Sequence, residues 1–283
     1  MTDLIAEARQ FDLVAEARSL DLAAERRGFD LIAPERALTP PVAGNGLLNN
    51  LIAYWPGNEL AGNALDLHVN ALHLNDINTV TSNPGLSYPL ARQYTRVNTE
   101  YHQRPGDDAL LSVADLDFTL AALVNFDTVG IASKWIANKR STVPNNGYQL
   151  TYFGADFGGP NLFQWGVFNA GASGSVSAVT PGLPVAGGWY LVIGWHDSVA
   201  DTVNIQVNNG GADSAVWAGG AGDDASRFTI GGSSWGAGLY MDGRISPTMF
   251  WKSAPGVGGV LTAAQRTQLW NGGTPLTYVA FTV

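Results

Sequence analysis

Carboxylates, imidazoles and indoles are the side chains of this sequence whose spacing bears on chemistry. Glycoside hydrolysis needs two carboxylates flanking a sugar ring, about 5 Å apart when configuration is retained. The chain has Glu7, Glu16, Glu25, Glu35, Glu59 and Glu100, and no glutamate after them. Asp115 and Asp117 stand two apart, but ahead of an apolar run they suit a strand entry better than an acid pair. With no cysteine, thiol nucleophiles, thiolate metal sites and disulfides are excluded. Catalysis is not expected. The four histidines are His68, His73, His102 and His196. His68 and His73 share a segment with Asp66, Asn70, Asn75 and Asp76, nitrogen and oxygen ligands that a loop could gather around a cation. Asp66 and Asn70 are the candidate calcium ligands, and no other cofactor is called for. The same two residues also suit turn chemistry, holding backbone amides while Leu67, Val69 and Leu72 turn inward.

Sugar binding asks for aromatic faces that stack on the ring and for loop-borne polar groups that meet its hydroxyls. Trp135, Trp217 and Trp235 stand beside turn residues and are the candidate glycan-binding side chains. Trp55, Trp189, Trp195, Trp251 and Trp270 fall in strand or helix patterns and read as core. Net charge is −9, from 24 acidic and 15 basic residues, and no Lys/Arg run is present to neutralise successive phosphates. A nucleic-acid partner is therefore not expected.

The elements that would carry these side chains are strands. From Leu47 onward, short apolar or alternating runs are separated by Gly, Asn, Asp and Pro, the pattern of an all-β domain. LIAYW from 51, DFTLAALVNF from 117, GYQLTYF from 147, NLFQWGVF from 161, GWYLVIGW from 188, TVNIQV from 202, RFTIGG from 227 and LYMDGRISPTMFW from 239 predict eight strands. Eight suffice for a two-sheet sandwich. Asn208, Asn209, Gly210 and Gly211 predict a tight turn after the sixth run. One short helix is predicted near the end, where Thr262 and Gln265 have capping-box spacing and Gly272 and Gly273 stop it.

Residues 1–38 are organised differently. DLIAEAR from Asp3, DLVAEAR from Asp12, DLAAERR from Asp21 and DLIAPER from Asp30 repeat every nine residues, with aligned Arg9, Arg18, Arg27 and Arg36. Nine steps of about 100° carry successive copies to opposite sides of a straight helix, and an odd step flips the face of a strand. Turns or kinks must intervene, as Gly28 and Pro34 suggest. Phe11 and Phe29 are its aromatics, too few for an independent core. The segment is read as a docking arm whose units meet equivalent pockets, through Leu4, Leu13, Leu22 and Leu31 with the aligned Asp, Arg and Phe residues, and gain avidity from repetition. The alternatives are a solvated charged tail or a simple oligomerisation segment. Residues 39–46, with Pro40, Pro41, Gly44 and Gly46, form the linker, and 47–283 the globular domain. Asp3, Glu7 and Arg9 interrupt the start where a signal peptide would be apolar, so export by the usual route is not expected, and no membrane insertion is foreseen.

The globular part resembles the LamG-like, concanavalin A-like lectin and glucanase jelly rolls over roughly residues 47–280. The resemblance rests on four pieces in order: LIAYWPGNELAGNALDLHVNALHL with Trp55, Glu59, Gly62, Asp66, Asn70 and Leu72; DFTLAALV; GWYLVIGWHDSVADTVNIQVNNG with Trp189, Val192, Asp197 and Val207; and DGRISPTMFWKSAPGVGGVLTAAQRTQLWNGG. Asn208-Asn209 replaces the family's Asp-Gly turn, and Gln265 its usual Glu. The family implies an all-β, two-sheet concanavalin A-like jelly-roll sandwich with one short C-terminal helix. It also implies a calcium site near Asp66 in some members, and in the glucanases a Glu-x-Asp-x-x-Glu strand that this chain lacks. The arm is similar to repeats of the F-x-x-x-A-x-A-R-S type in tailed-phage structural proteins. Together the two resemblances imply a virion protein of the head, neck or tail. Its implied partners are capsid or other virion proteins, it would form a homo-oligomer such as a trimer, and its lectin-like domain would decorate or reinforce the particle; the alternative is a receptor-binding lectin for host-surface glycans, with a polysaccharide hydrolase as the third reading.

Overall fold

The computed structural model describes residues 45–140, 146–170, 172–179, 182–223, 225–233 and 239–282. The chain divides between Ala43 and Gly44, so the described residues all belong to the second unit. The docking-arm residues Asp3, Leu4, Arg9, Phe11, Asp12, Leu13, Arg18, Asp21, Leu22, Arg27, Phe29, Asp30, Leu31 and Arg36 lie outside them, as does Trp235.

Fifteen strands are described: β1 Leu51–Trp55, β2 Asn75–Ile77, β3 Thr81–Pro84, β4 Leu90–Tyr94, β5 Tyr101–Gln103, β6 Asp117–Phe126, β7 Lys134–Arg140, β8 Gly147–Phe153, β9 Leu162–Asn169, β10 Ala172–Ser177, β11 Trp189–Asp197, β12 Thr202–Val207, β13 Ala212–Val216, β14 Thr229–Ile230 and β15 Gly243–Ser253. They form two antiparallel sheets. One runs β13-β12-β11-β6-β15-β4-β3, with β1 also paired to β15; the other runs β10-β9-β8-β7-β14-β5-β2. This is the expected two-sheet sandwich. Each of the eight predicted runs contains a strand, although RFTIGG contributes only Thr229–Ile230 and the last run pairs only from Gly243. A register shift between Ile245 and Thr248 sits at Pro247, which has no N–H to give a ladder.

Burial follows from side-chain alternation. In β6, Phe118, Leu120, Ala122, Val124 and Phe126 enter the core between the sheets, while Ala121 and Leu123 enter a second cluster on the outer side. That cluster joins Leu191, Ile193 and Trp195 of β11 and Met249 and Trp251 of β15 to Leu261, Leu269 and Phe281. Leu269 belongs to the helix α1, Ala263–Trp270, and Phe281 to a 3-10 turn, Tyr278–Thr282. The predicted capping box is formed, with the Gln265 amide donating to Thr262 Oγ1 at 3.2 Å and the Thr262 amide donating to Gln265 Oε1 at 2.9 Å. Asn271, in the left-handed region, ends the helix one residue before the glycines expected to do so.

Strands β7, β8 and β9 bury Ala137, Tyr148, Leu150, Tyr152, Phe163, Trp165 and Val167 on their inner face. Among the described residues, no second apolar cluster lies on their outer face.

Candidate functional site

The outer face of the seven-stranded sheet holds a cavity of about 340 Å³ lined by Ser133, Trp135 and Arg140 at β7, Gln149, Thr151 and Phe153 of β8, Gln164 and Phe168 of β9, and Ser175 of β10. Phe157 and Leu239 also line it. Thr151 lies opposite Trp135 on one side and Gln164 on the other, so the register of β7, β8 and β9 alone aligns an indole, a hydroxyl and an amide across the floor. Gly166 keeps the floor low: a Cβ there would come within 2.9 Å of the Phe168 ring.

Two constructions fix the walls. The Arg140 guanidinium lies 3.7 Å from the Phe168 ring centroid and 5.7 Å from that of Trp135. Its Nη1 donates to Gln149 Oε1 at 2.5 Å. Partial burial lowers its pKa to about 10, which leaves it cationic at neutral pH. At the other end, Asp156 holds the loop that carries Phe157. Its Oδ1 accepts from the Ser133 amide at 2.9 Å and from the Ser133 hydroxyl at 2.6 Å. Gly158 turns the backbone out of the loop with φ of 73°, and the Gly159 amide closes it on the Gly154 carbonyl at 2.9 Å. Phe157 remains 60% exposed on this fixed turn, beside the loop of Ile131, which is 74% exposed. Farther along the same outer face, the Tyr101 and Tyr240 rings lie 5.8 Å apart.

Trp135 is therefore a strand residue at a register shift of β7, buried in the groove wall, rather than a loop side chain. Trp217 follows β13 and packs against the main core, its Nε1 donating to the Gly220 carbonyl at 2.8 Å. Gly174 and Gly219 make room for its ring, since a Cβ at either would approach it to 2.4 or 2.6 Å. Trp217 and Trp135 are thus not brought together in one cavity. Asp66 Oδ1 accepts from the Tyr54 and His68 amides, each at 2.8 Å, and Oδ2 from the Leu72 amide at 2.8 Å. Asn70 donates to the Ile52 carbonyl at 2.8 Å. These contacts are those of a turn, and no group of three or more His, Asp or Glu side chains is placed to hold a metal among the described residues. Asp117 accepts from the Ser198 amide and hydroxyl and the Gly256 amide. The string from Gly232 to Gly236 has the G-x-S-x-G form of a nucleophile elbow. The described strands that flank it are β14 and β15, whereas such an elbow joins a strand to a helix, and Ser234 lies outside the described residues.

Phe157, Phe168, Arg140, Gln149 and Gln164 were not singled out in the sequence. Phe157 carried a readable signal, an aromatic held between Asp156 and Gly158 in a turn. The others carried none, because a strand residue declares a face only when its partners are known.

No protein-family model and no curated protein matches the chain. Solved structures do match it in fold. The binding domain of Paraclostridial Mosquitocidal Protein 1 aligns with a TM-score of 0.59 at 12% identity, over 79% of this chain and 52% of that one. Domain 4 of the GH43 arabinanase AbnA of Geobacillus stearothermophilus, solved with arabinotriose, gives 0.52 at 16% identity over 77% and 97%. The binding domain of Botulinum Neurotoxin DC, in complex with SialylT, gives 0.56 at 12% over 81% and 52%. The chain thus spans about half the length of the two toxin domains. The likeness extends to the fold, which agrees with the concanavalin A-like sandwich expected from the sequence.

Proposed function

We propose that the globular unit is a non-catalytic saccharide-binding module whose ligand lies in the groove across β7, β8 and β9. The observation that carries this reading is the composition of the lining. It combines the aromatic faces of Phe157, Phe168 and Trp135 with the amides of Gln149 and Gln164 and the hydroxyls of Ser133, Thr151 and Ser175, and among the described residues it includes no carboxylate or imidazole. Aromatic surface takes the apolar face of a sugar ring, and amides and hydroxyls exchange hydrogen bonds with its hydroxyls. A hydrolase needs a proton donor and a second carboxylate at the scissile bond, and the described residues of the lining offer neither. Resemblance in fold to an arabinanase domain solved with arabinotriose supports the reading.

A glycan array probed with the full chain, with and without calcium, tests it. Saturable binding that weakens in Gln164→Ala is expected; a blank array defeats the reading, and release of reducing ends from a bound polysaccharide defeats its non-catalytic part.

Four in-register copies of a nine-residue unit favour a second, compatible role for the N-terminal segment, as a docking arm that fastens the module to a virion. Deleting residues 1–36 should then abolish incorporation into particles while leaving the globular unit folded; unchanged incorporation removes this role.

A further inference from the structure

We propose that one end of the sandwich is a lipid-docking surface, which settles on a bilayer of low charge such as a phosphatidylcholine leaflet. Antiparallel pairing fixes which loops share that end: β4, β6, β8 and β10 finish there, and β5, β7, β9, β11 and β15 begin there. The connections from β4 to β5, β6 to β7 and β10 to β11 pass from one sheet to the other, so the ends of both sheets coincide. The loops at this end carry Val97, Val129, Ile131, Phe157, Leu183 and Val185, from 37% exposed at Val129 to 87% at Val97. Single exposed apolar residues are ordinary, but six on neighbouring loops mark an interaction site. The loops are held in place. The Asp156 amide donates to the Ile131 carbonyl at 2.9 Å, the Gly187 amide to the Phe126 carbonyl at 2.7 Å, and the Asp127 amide to the Asp242 carbonyl at 3.1 Å.

Two observations select lipid over a protein partner. Gly130 precedes Ile131, Gly158 follows Phe157, and Gly182 and Pro184 bracket Leu183, so the apolar side chains protrude one by one. A fluid surface accommodates separate protrusions, whereas a folded partner needs a matching pocket for each. Behind these tips stand half-buried amphipathic rings: Tyr101 and Trp189 open β5 and β11, and Tyr240 precedes β15. Apolar tips backed by Tyr and Trp follow the order in which a membrane interface sorts side chains. Charge then selects the lipid. The segment 178–188 has no charged residue, and Arg96 is the one basic residue in 95–100, 127–133 and 154–161. The carboxylates are turned to holding the loops: Glu100 Oε2 accepts from the Thr95 amide at 2.7 Å, Asp127 Oδ2 from Gln93 Nε2 at 2.8 Å, and Asp242 Oδ2 from the Thr128 hydroxyl at 2.7 Å. With acids outnumbering bases here, an anionic leaflet gains no attraction. The contact is adsorption at the interface, since no helix among the described residues is long and apolar enough to cross a membrane.

The test is flotation of the full chain with phosphatidylcholine vesicles, with and without added phosphatidylserine, at low and high salt. The chain is expected to float with phosphatidylcholine alone; phosphatidylserine should not raise the bound fraction, and salt should not lower it. Ile131→Ser combined with Leu183→Ser should weaken binding about tenfold or more, because two apolar side chains no longer leave water. Val216→Ser removes an exposed valine at the opposite end, where β13 finishes, and should change binding by less than about twofold. No flotation with phosphatidylcholine overturns the proposal and leaves a protein as the occupant of this end. Flotation that requires phosphatidylserine, or that high salt abolishes, overturns it as well, because charge then drives the contact. Both outcomes are read on the unmodified chain, so they hold whether or not the variants fold. Equal losses in Val216→Ser and the double variant, with all chains shown folded by thermal unfolding, also overturn it. Phosphatidylcholine carries no sugar, so none of these outcomes touches the saccharide reading, and a blank glycan array does not touch this one.

Discussion

On the outer face of the eight-stranded sheet, Leu123, Leu191, Ile193, Met249 and Trp251 lie under α1 and the C-terminal 3-10 turn. On the outer face of the seven-stranded sheet, Gln149, Thr151, Gln164 and Ser175 line a groove. Both sheets send an apolar face into the shared core, so the difference lies in what their outward residues do. One sheet uses them to bind another part of its own chain. The other keeps several of them polar beside aromatic rings, and on the proposed reading its ladder positions them for a ligand. That reading assigns stability and recognition to opposite sides of one sandwich.

The sharpest way to break that comparison is to remove Trp251. Its ring is fully buried against Phe281, and its Nε1 donates to the Leu47 carbonyl at 2.7 Å. Trp251→Ala should cost about 3–5 kcal/mol by denaturant unfolding, the range for large-to-small changes in a packed site. A loss below about 1 kcal/mol would mean that the helix and terminal turn are not part of the cooperative unit.

Acid offers a somewhat smaller effect located between the sheets. His102 is buried, and burial followed by the Arg92 cation lowers its pKa from the usual 6.5 to about 3. Its Nδ1 faces the Tyr94 hydroxyl at 2.9 Å, and its Nε2 lies 3.1 Å from the Gly62 carbonyl. The unfolded chain protonates His102 near pH 6.5, whereas the folded chain does so only near pH 3. Stability from this group is complete above pH 6.5 and is lost as pH falls toward 3. Over the two units to pH 4.5 the loss is about 3 kcal/mol, at about 1.4 kcal/mol per unit. Unfolding curves for the unmodified chain and His102→Gln check this, since the variant should lack that part of the slope. Ligand affinity should stay flat over the same interval while the protein remains folded, because no described residue of the lining is a carboxylate or imidazole.

The two faces were partly legible in the residues. Runs such as LAALV in β6 and LVI in β11 are apolar at every position, as strands buried on both sides must be. YQLTYF in β8 and LFQWGVF in β9 place glutamine or threonine between apolar residues, which marks one wet face. The eight strands found in this way are the ones with such patterns, and α1 announced itself through Thr262 and Gln265. Strands β2, β3, β4, β5, β7, β10 and β13 carried weaker signals: TSNP and ASGSVS are small or polar, and KWIANKR hides its inward Ala137 among charges. The groove was less legible than the fold. Arg140 and Phe168 are 28 positions apart, and they meet only because Gly147 pairs with both, Arg140 across one ladder and Phe168 across the other. No local spacing encodes that meeting.

Phe157 gives the smallest expected effect on stability and the most discriminating one. Its side chain is mostly in solvent, and the turn beneath it is held by Asp156, Gly158 and Gly159 rather than by the ring. Phe157→Ala should therefore change unfolding free energy by no more than about 0.5 kcal/mol, as surface substitutions do. Its effect belongs to the ligand: loss of one stacking face, worth about 0.5–1.5 kcal/mol, should weaken saccharide binding by about twofold to twelvefold. Calorimetry and unfolding on the same sample read both quantities. A variant that loses stability in step with affinity would show that the open face also carries the fold, and the division between the two sides of the sandwich would fail at the residue where it is drawn most sharply.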